Sequence, residues 1–183
     1  MCGRNYATFK PTLFDTKWLS KFDQPAKYVE EVTLMGWGEP TVHPQFVDFL
    51  DFANEHGLRK YFCTNGMRLS DYANTIMEKQ VDVIAVSLDG SNSSVNDSIR
   101  RGANFEVIIN GIKKIVALKK QNKTKWPHIN TVTTLSNKNL YELPKIIELA
   151  NEIGLEEVKA VYLTAFDEYS TKQVLYIDRE EKR

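Results

Sequence analysis

Five stretches carry residues that could do chemistry: Gly36-Trp37-Gly38-Glu39-Pro40, Thr64-Asn65-Gly66, Ser87-Leu88-Asp89-Gly90, Asn130-Thr131 with Thr133 and Thr134 beyond, and Thr164. Their side chains are mostly small, polar or acidic. Glycines let backbone carbonyls approach a ligand closely because no Cβ intervenes. Pro40 removes a donor and fixes the chain direction after them. Exposed carbonyls accept from an amino group, and Asp89 is suited to ribose hydroxyls, as acidic residues after strands are in dinucleotide sites. A phosphate site instead needs a Gly-rich turn running into a helix N-terminus, often with Lys or Ser/Thr. Here the turn carries Glu39, which would repel a phosphate. The expected ligand is therefore cationic and rich in hydroxyls. Each stretch alone also reads as an ordinary turn; their joint placement is what favours a site.

The elements that must position these residues alternate between β-rich runs and helical patterns. Val32–Met35 is the first run, followed by a helix with Pro44 in its first turn, Phe46, Phe49, Leu50 and Ala53 on one face, and Gly57 past its end. Lys60–Thr64 is the second run, and Ser70 is placed to cap the helix after it. Val81–Leu88 is apolar nearly throughout, as in a strand covered on both faces. Asn104 caps a long helix carrying Phe105, Ile108, Ile109, Ile112, Ile115 and Val116. Ile129–Thr134 follows, then a helix opened by Asn139 and closed by Gly154, then Val158–Leu163. A further helical pattern, Phe9, Leu13, Phe14, Trp18 and Phe22, precedes the first run. Strands separated by helices predict right-handed βα units around a parallel sheet. In such architectures ligands bind at the C-terminal ends of the strands, where all five stretches fall.

Composition narrows the function classes. Lys and Arg number 24, matching 24 Asp and Glu, so no charge excess points to nucleic acid or an anionic membrane. The lysines at 113, 114, 119, 120, 123 and 125 read as a solvated face. No apolar run approaches a membrane span and no signal peptide opens the chain, so the cytoplasm is expected. Cys2 and Cys63 are far apart and form no disulfide framework. Cys63 lies mid-strand and reads as a small apolar residue. His43, His56 and His128 are not spaced as a zinc site.

Gly36-Trp37-Gly38-Glu39-Pro40 resembles the glycine-glycine-glutamate-proline motif of radical S-adenosylmethionine (SAM) enzymes. Thr64-Asn65-Gly66, Val86-Ser87-Leu88-Asp89 and Ile129-Asn130-Thr131-Val132 resemble the family's later strand motifs. Met1-Cys2-Gly3-Arg4-Asn5 resembles the end of its three-cysteine cluster motif, with Cys2 as the third cysteine. The likeness is to members that modify peptides or build cofactors, including the molybdenum-cofactor type. It implies an α/β fold, a partial (β/α)6 TIM-like barrel of parallel strands, with the first strand missing. Residues 1–166 would be the truncated core, and 167–183 a polar tail, frayed, or the start of a missing segment.

The resemblance also implies the chemistry. A [4Fe-4S] cluster, with Cys2 as one ligand, and SAM would be the cofactors. Reductive cleavage of SAM would give a 5′-deoxyadenosyl radical that abstracts hydrogen from a substrate. Carried over by position, backbone around Gly36, Gly38, Glu39 and Pro40 would meet the SAM amino group. Ser87 and Asp89 would meet the ribose or methionyl part, Asn130 and Thr131 would flank the adenosine, and Met1 would lie against adenine. Thr64, Asn65 and His128 fall near SAM or substrate, and Arg100 or Arg101 could pair with the SAM carboxylate. Implied partners are a small-molecule, peptide or cofactor-precursor substrate and an electron donor such as flavodoxin or ferredoxin. With one motif cysteine the chain alone is expected to be inactive, and the edge at Val32–Met35 is expected to be poorly covered. The alternatives are a cluster-less adenosyl-binding remnant and a barrel lyase with a Schiff-base lysine. Lys60 and Lys159, near strand starts, count against the lyase.

Overall fold

The computed structural model describes residues 12–165 and 168–175. Met1 and Cys2, with the cluster-motif resemblance they carry, lie outside the described residues, as does the chain beyond residue 175. Five strands form one sheet in sequence order: β1 (Glu31–Leu34), β2 (Arg59–Thr64), β3 (Val83–Ser87), β4 (His128–Leu135) and β5 (Glu157–Tyr162). Every neighbouring pair is parallel. β1 and β5 are not paired with each other, so the sheet is open.

The connecting helices are α2 (Phe46–Glu55), α3 (Leu69–Glu78), α5 (Phe105–Gln121) and α6 (Leu143–Ile153). Their apolar stripes cover one face of the sheet. Phe46, Leu50, Leu69, Ile76, Ile108, Ile112 and Ile115 pack with Phe62, Ile84, Val86 and Ile129. Gly111 is part of this layer: a Cβ there would stand 2.8 Å from that of Leu69, so its absence lets α5 close on α3. Asn104 caps α5 as expected, accepting from the Val107 backbone N–H at 3.2 Å. Gly154, at φ +83, ends α6.

Several expectations are corrected. Ser70 does not cap α3; the cap position is Arg68, without a side-chain bond, and the Ser70 carbonyl instead accepts from Lys114 Nζ. Asn139 precedes a 3-10 turn rather than capping α6, because its side chain is committed elsewhere. Of the pattern Phe9–Phe22, Phe9 lies outside the described residues, and the rest forms a 3-10 segment, Thr16–Phe22, followed by the short α1 (Asp23–Ala26), with Leu13, Phe14, Trp18 and Phe22 exposed. Together with β1 and α2 it borders an apolar cavity of about 850 Å³. Lys119 is not solvated but buried against Glu156. Within residues 168–175, α7 (Glu168–Thr171) has Ser170 buried, and Gln173 just beyond it is buried as well, its carbonyl accepting from the Asn137 N–H. Among the described residues, no helix is long and apolar enough to cross a membrane.

Candidate active site

The register sorts the strand residues onto two faces, because side chains alternate with a period of two. Ile84, Val86 and Ile129 face the helices. The opposite, open face therefore carries Tyr61, Cys63, Val83, Ala85, Ser87, His128, Asn130 and Val132, with Glu157 and Lys159 from β5. Its rungs follow the pairing. Val83 stands beside Tyr61 and His128, Ala85 beside Cys63 and Asn130, and Asn130 beside Glu157. One step nearer the strands' C-terminal ends, Ser87 stands beside Val132 and Val132 beside Lys159.

The rim at those ends is built by two carboxylates. Glu39 Oε1 accepts from Thr64 Oγ1 at 2.7 Å and from Thr41 Oγ1 at 2.6 Å, and Oε2 accepts from the Asn65 N–H at 2.6 Å. Its side chain thus ties the turn after β1 to the turn after β2. Pro40 opens a 3-10 turn, Pro40–Val42, that begins on this contact. The Asn65 side chain is used locally, accepting from the Met67 N–H at 2.9 Å. With Glu39 turned inward, the exposed backbone of Gly36–Gly38 is what the rim presents. A Cβ on Gly36 or Gly38 would meet nothing within 4 Å, and neither has positive φ. Among the described residues, neither packing nor backbone geometry calls for glycine at these positions.

Asp89 behaves differently from the expectation that it accepts from ribose hydroxyls. It is 0% exposed, with Oδ2 bound to Arg100 Nη1 at 2.7 Å and Oδ1 accepting from the Thr134 N–H at 2.7 Å. Both oxygens are spent inside the protein. A helix the sequence reading did not foresee, α4 (Ser93–Ile99), makes this possible. Asn92 caps it, and Asn96 Oδ1 accepts from the Asp89 N–H at 3.0 Å. Gly90 lets α4 sit this close, since a Cβ there would fall 2.5 Å from the Asn96 backbone N. Arg100 ends α4 and reaches back to Asp89, leaving a partly exposed guanidinium near the rim. Asn139 closes the other side, donating from Nδ2 to the carbonyls of Asp89 and Thr134, both at 3.0 Å.

Ser87 is half-buried on the open face. Thr131 is not on that face: it is buried on the helix side, with Oγ1 donating to the Val86 carbonyl at 3.0 Å, because one residue's offset in a strand reverses direction. Thr64 serves Glu39. His128 lies at the start of β4, away from the rim, against Glu157 at 3.2 Å. Asn130 is 0% exposed, and neither Oδ1 nor Nδ2 has a hydrogen-bond partner.

Three further residues belong to the open face. Cys63 is half-buried there rather than in the core, and burial pushes its thiol up. Burial likewise raises the Tyr61 phenol, with Cys63 beside it adding to the effect. Lys159 is not at a strand start in space. The stagger of β5 brings it level with Ser87, with Nζ 3.5 Å from Glu157 and 6.0 Å from the Tyr61 ring centroid. The signal for it was a lone lysine inside the apolar run Val158–Leu163.

The described residues suit SAM: open glycine backbone for an amino group, a serine, and a held guanidinium for a carboxylate. They do not suit an iron–sulfur cluster. Among them no three His, Cys, Asp or Glu side chains group as metal ligands, and Cys63 is the free cysteine present.

Comparison with known proteins follows the same lines. The model of the radical SAM superfamily matches residues 17–150. Mycofactocin maturase MftC of Mycobacterium tuberculosis is 27% identical over 121 residues, covering 66% of this chain and 29% of that protein. AdoMet-dependent heme synthase of Methanosarcina barkeri is 32% identical over 136 residues, covering 72% of this chain and 36% of that protein. SuiB of Streptococcus suis, bound to S-adenosylmethionine, superposes with a TM-score of 0.75 at 14% identity, covering 95% of this chain and 39% of that one. Its structure bound to the precursor peptide SuiA gives the same TM-score and identity, covering 93% of this chain and 37% of that one. The chain thus spans well under half of these proteins.

Proposed function

The chain belongs to the radical SAM superfamily, and from that premise we propose that its strand ends hold SAM in an enzyme that modifies a peptide or a cofactor precursor. The observation that carries this reading is the Gly36–Gly38 turn. Among the described residues its glycines have no reason in packing or backbone geometry, which supports a closely approaching ligand as the reason for them. The carbonyls of Gly36–Gly38 accept from the SAM amino group, and Ser87 meets the methionyl or ribose part. Arg100, held by Asp89, takes the carboxylate as a charge-assisted hydrogen bond. Glu39 acts through the backbone it fixes, so it is a positioning residue. Bound there and reduced by one electron, SAM would be cleaved to methionine and a 5′-deoxyadenosyl radical, which would take a hydrogen atom from the substrate.

The relatives named above include a maturase and a heme synthase, and SuiB is bound to a precursor peptide in one of its structures, which supports the substrate class. Electron delivery would come from flavodoxin or ferredoxin, in keeping with a cytoplasmic location. The sequence holds Cys2 and Cys63 as its cysteines, and a cluster takes several thiolates, so this chain by itself is inactive in the reading proposed. Anaerobic reconstitution with iron and sulfide analysis tests that part; a full cluster per chain would overturn it. A second reading is a cluster-less remnant that binds an adenosyl ligand without chemistry. Equilibrium dialysis with labelled SAM tests the site. Gly38→Val and Arg100→Gln should each lower retention about tenfold; unchanged retention in both would remove the site from this rim.

A further inference from the structure

The open face below the rim holds a carboxamide with nothing to bind. Asn130 is fully buried, and both ends of its side chain lack partners. A buried polar group without a hydrogen bond costs on the order of 1–3 kcal/mol, and native proteins leave few of them. An apolar side chain of similar shape would avoid that cost. The position therefore calls for an occupant that satisfies a donor and an acceptor together.

The register sets what stands around Asn130. Ala85, with its single methyl, is its neighbour on β3, with Cys63 beyond on β2, and Glu157 is its neighbour on β5. Lys159 stands one rung above it on β5 and Tyr61 one rung below it on β2, with Nζ 6.0 Å from the Tyr61 ring centroid and 3.5 Å from Glu157. This places a phenol, a thiol and both signs of charge within one rung of the carboxamide.

We propose that the Asn130 rung is a substrate subsite for an amide group, read by Asn130 through paired hydrogen bonds: substrate N–H to Oδ1, and Nδ2–H to substrate C=O. Lys159 swings aside as the substrate enters and Tyr61 lies along it. The assignment rests on the reading of the chain as the core of a peptide-modifying radical SAM enzyme, and gives that substrate its contact on this chain. It takes Asn130 away from the adenosine, since the residue sits one rung deeper than Ser87 at the rim. The amide is the shared chemistry of a peptide bond and of an Asn or Gln side chain; an isolated carboxylate would leave Nδ2 served and Oδ1 unpaired.

The test uses the chain as it is, labelled with 15N, and follows the Asn130 side-chain NH2 signals. The probes are N-acetylglycine N-methylamide for the peptide group, propionamide for the side-chain carboxamide, sodium acetate for a carboxylate, and SAM. The peptide probe should shift the Asn130 signals and acetate should not. A larger shift with propionamide would support the amide subsite and give its source as a side-chain carboxamide rather than a peptide bond. Shifts with SAM alone would return Asn130 to the adenosine and overturn the proposal, as would signals unmoved by every probe. Failure of the broader reading looks different: SAM would then leave Gly36–Gly38 unshifted as well. Asn130→Leu should weaken the peptide probe about tenfold while SAM still shifts Gly38. Full retention of peptide binding by that variant would also overturn the proposal.

Discussion

Glu39 joins the ends of two strands: its carboxylate accepts from Thr64 Oγ1 at 2.7 Å and from the Asn65 N–H at 2.6 Å. An amide in its place would turn an NH2 toward one of these donors. Glu39→Gln should therefore cost about 1–3 kcal/mol in urea unfolding. Thr64→Val should cost less, and the double variant should fall short of the sum because the two share one contact. Additive losses would show that the two side chains act separately.

Asp89 is expected to matter first for folding. Removing one partner of a buried ion pair costs about 3–5 kcal/mol when both are buried, and Arg100 is partly exposed, so Asp89→Ala should lose about 2–4 kcal/mol. Arg100→Gln should lose less stability and more SAM affinity. An Asp89→Ala protein as stable as the parent, but weak in SAM binding, would restore direct ligand contact to Asp89.

The glycines separate packing from ligand approach. Gly90→Ala forces a Cβ against the α4 backbone and should cost about 1–3 kcal/mol. Gly38→Ala should stay within about 0.5 kcal/mol of the parent, the usual range for a surface change away from such contacts. Thermal or urea unfolding of the two variants side by side decides it; equal losses would contradict the distinction.

The Glu142 carboxyl is held below the usual carboxylate range, first by the hydrogen bond from Ser91 Oγ and next by that from Lys145. A folded value below the unfolded one adds stability above the ordinary carboxylate range, and that stability is lost as pH falls through the depressed value. Ser91→Ala should therefore lower stability near neutral pH and narrow the gap to the parent as pH drops. Urea midpoints taken from neutral pH down through the carboxylate range show it; a gap that is constant with pH would assign the loss to packing alone.

How much of this was legible in the sequence differs by residue. The order of the five strands and the caps at Asn104 and Gly154 were readable because they are set locally, by apolar periodicity and by what one residue does to a helix end. The rim motifs were readable as a set. The roles within it were not, because they depend on contacts across the chain. Asp89 is taken by Thr134, 45 residues away, and by Arg100 at the end of an unforeseen helix. Thr131 and Asn130 look alike in the string, yet a single step of the pleat sends one to the helix side, where its hydroxyl is bonded, and the other to the opposite face, where its carboxamide has no partner. Lys159 looked distant from the rim because the stagger of β5 against β4 leaves no trace in the sequence.

The measurement that bears most directly on the account is a SAM titration of the 15N-labelled chain followed through its backbone amides. The account predicts that Trp37, Gly38, Asn65, Gly66 and Ser87, spread over 51 residues of sequence but gathered on one rim, shift together with one affinity, while Gly57 and Gln80 at the opposite ends of the strands stay still. Shifts centred on Gly57 and Gln80, or no shift at Gly38 and Ser87 at SAM concentrations that move other signals, would contradict it.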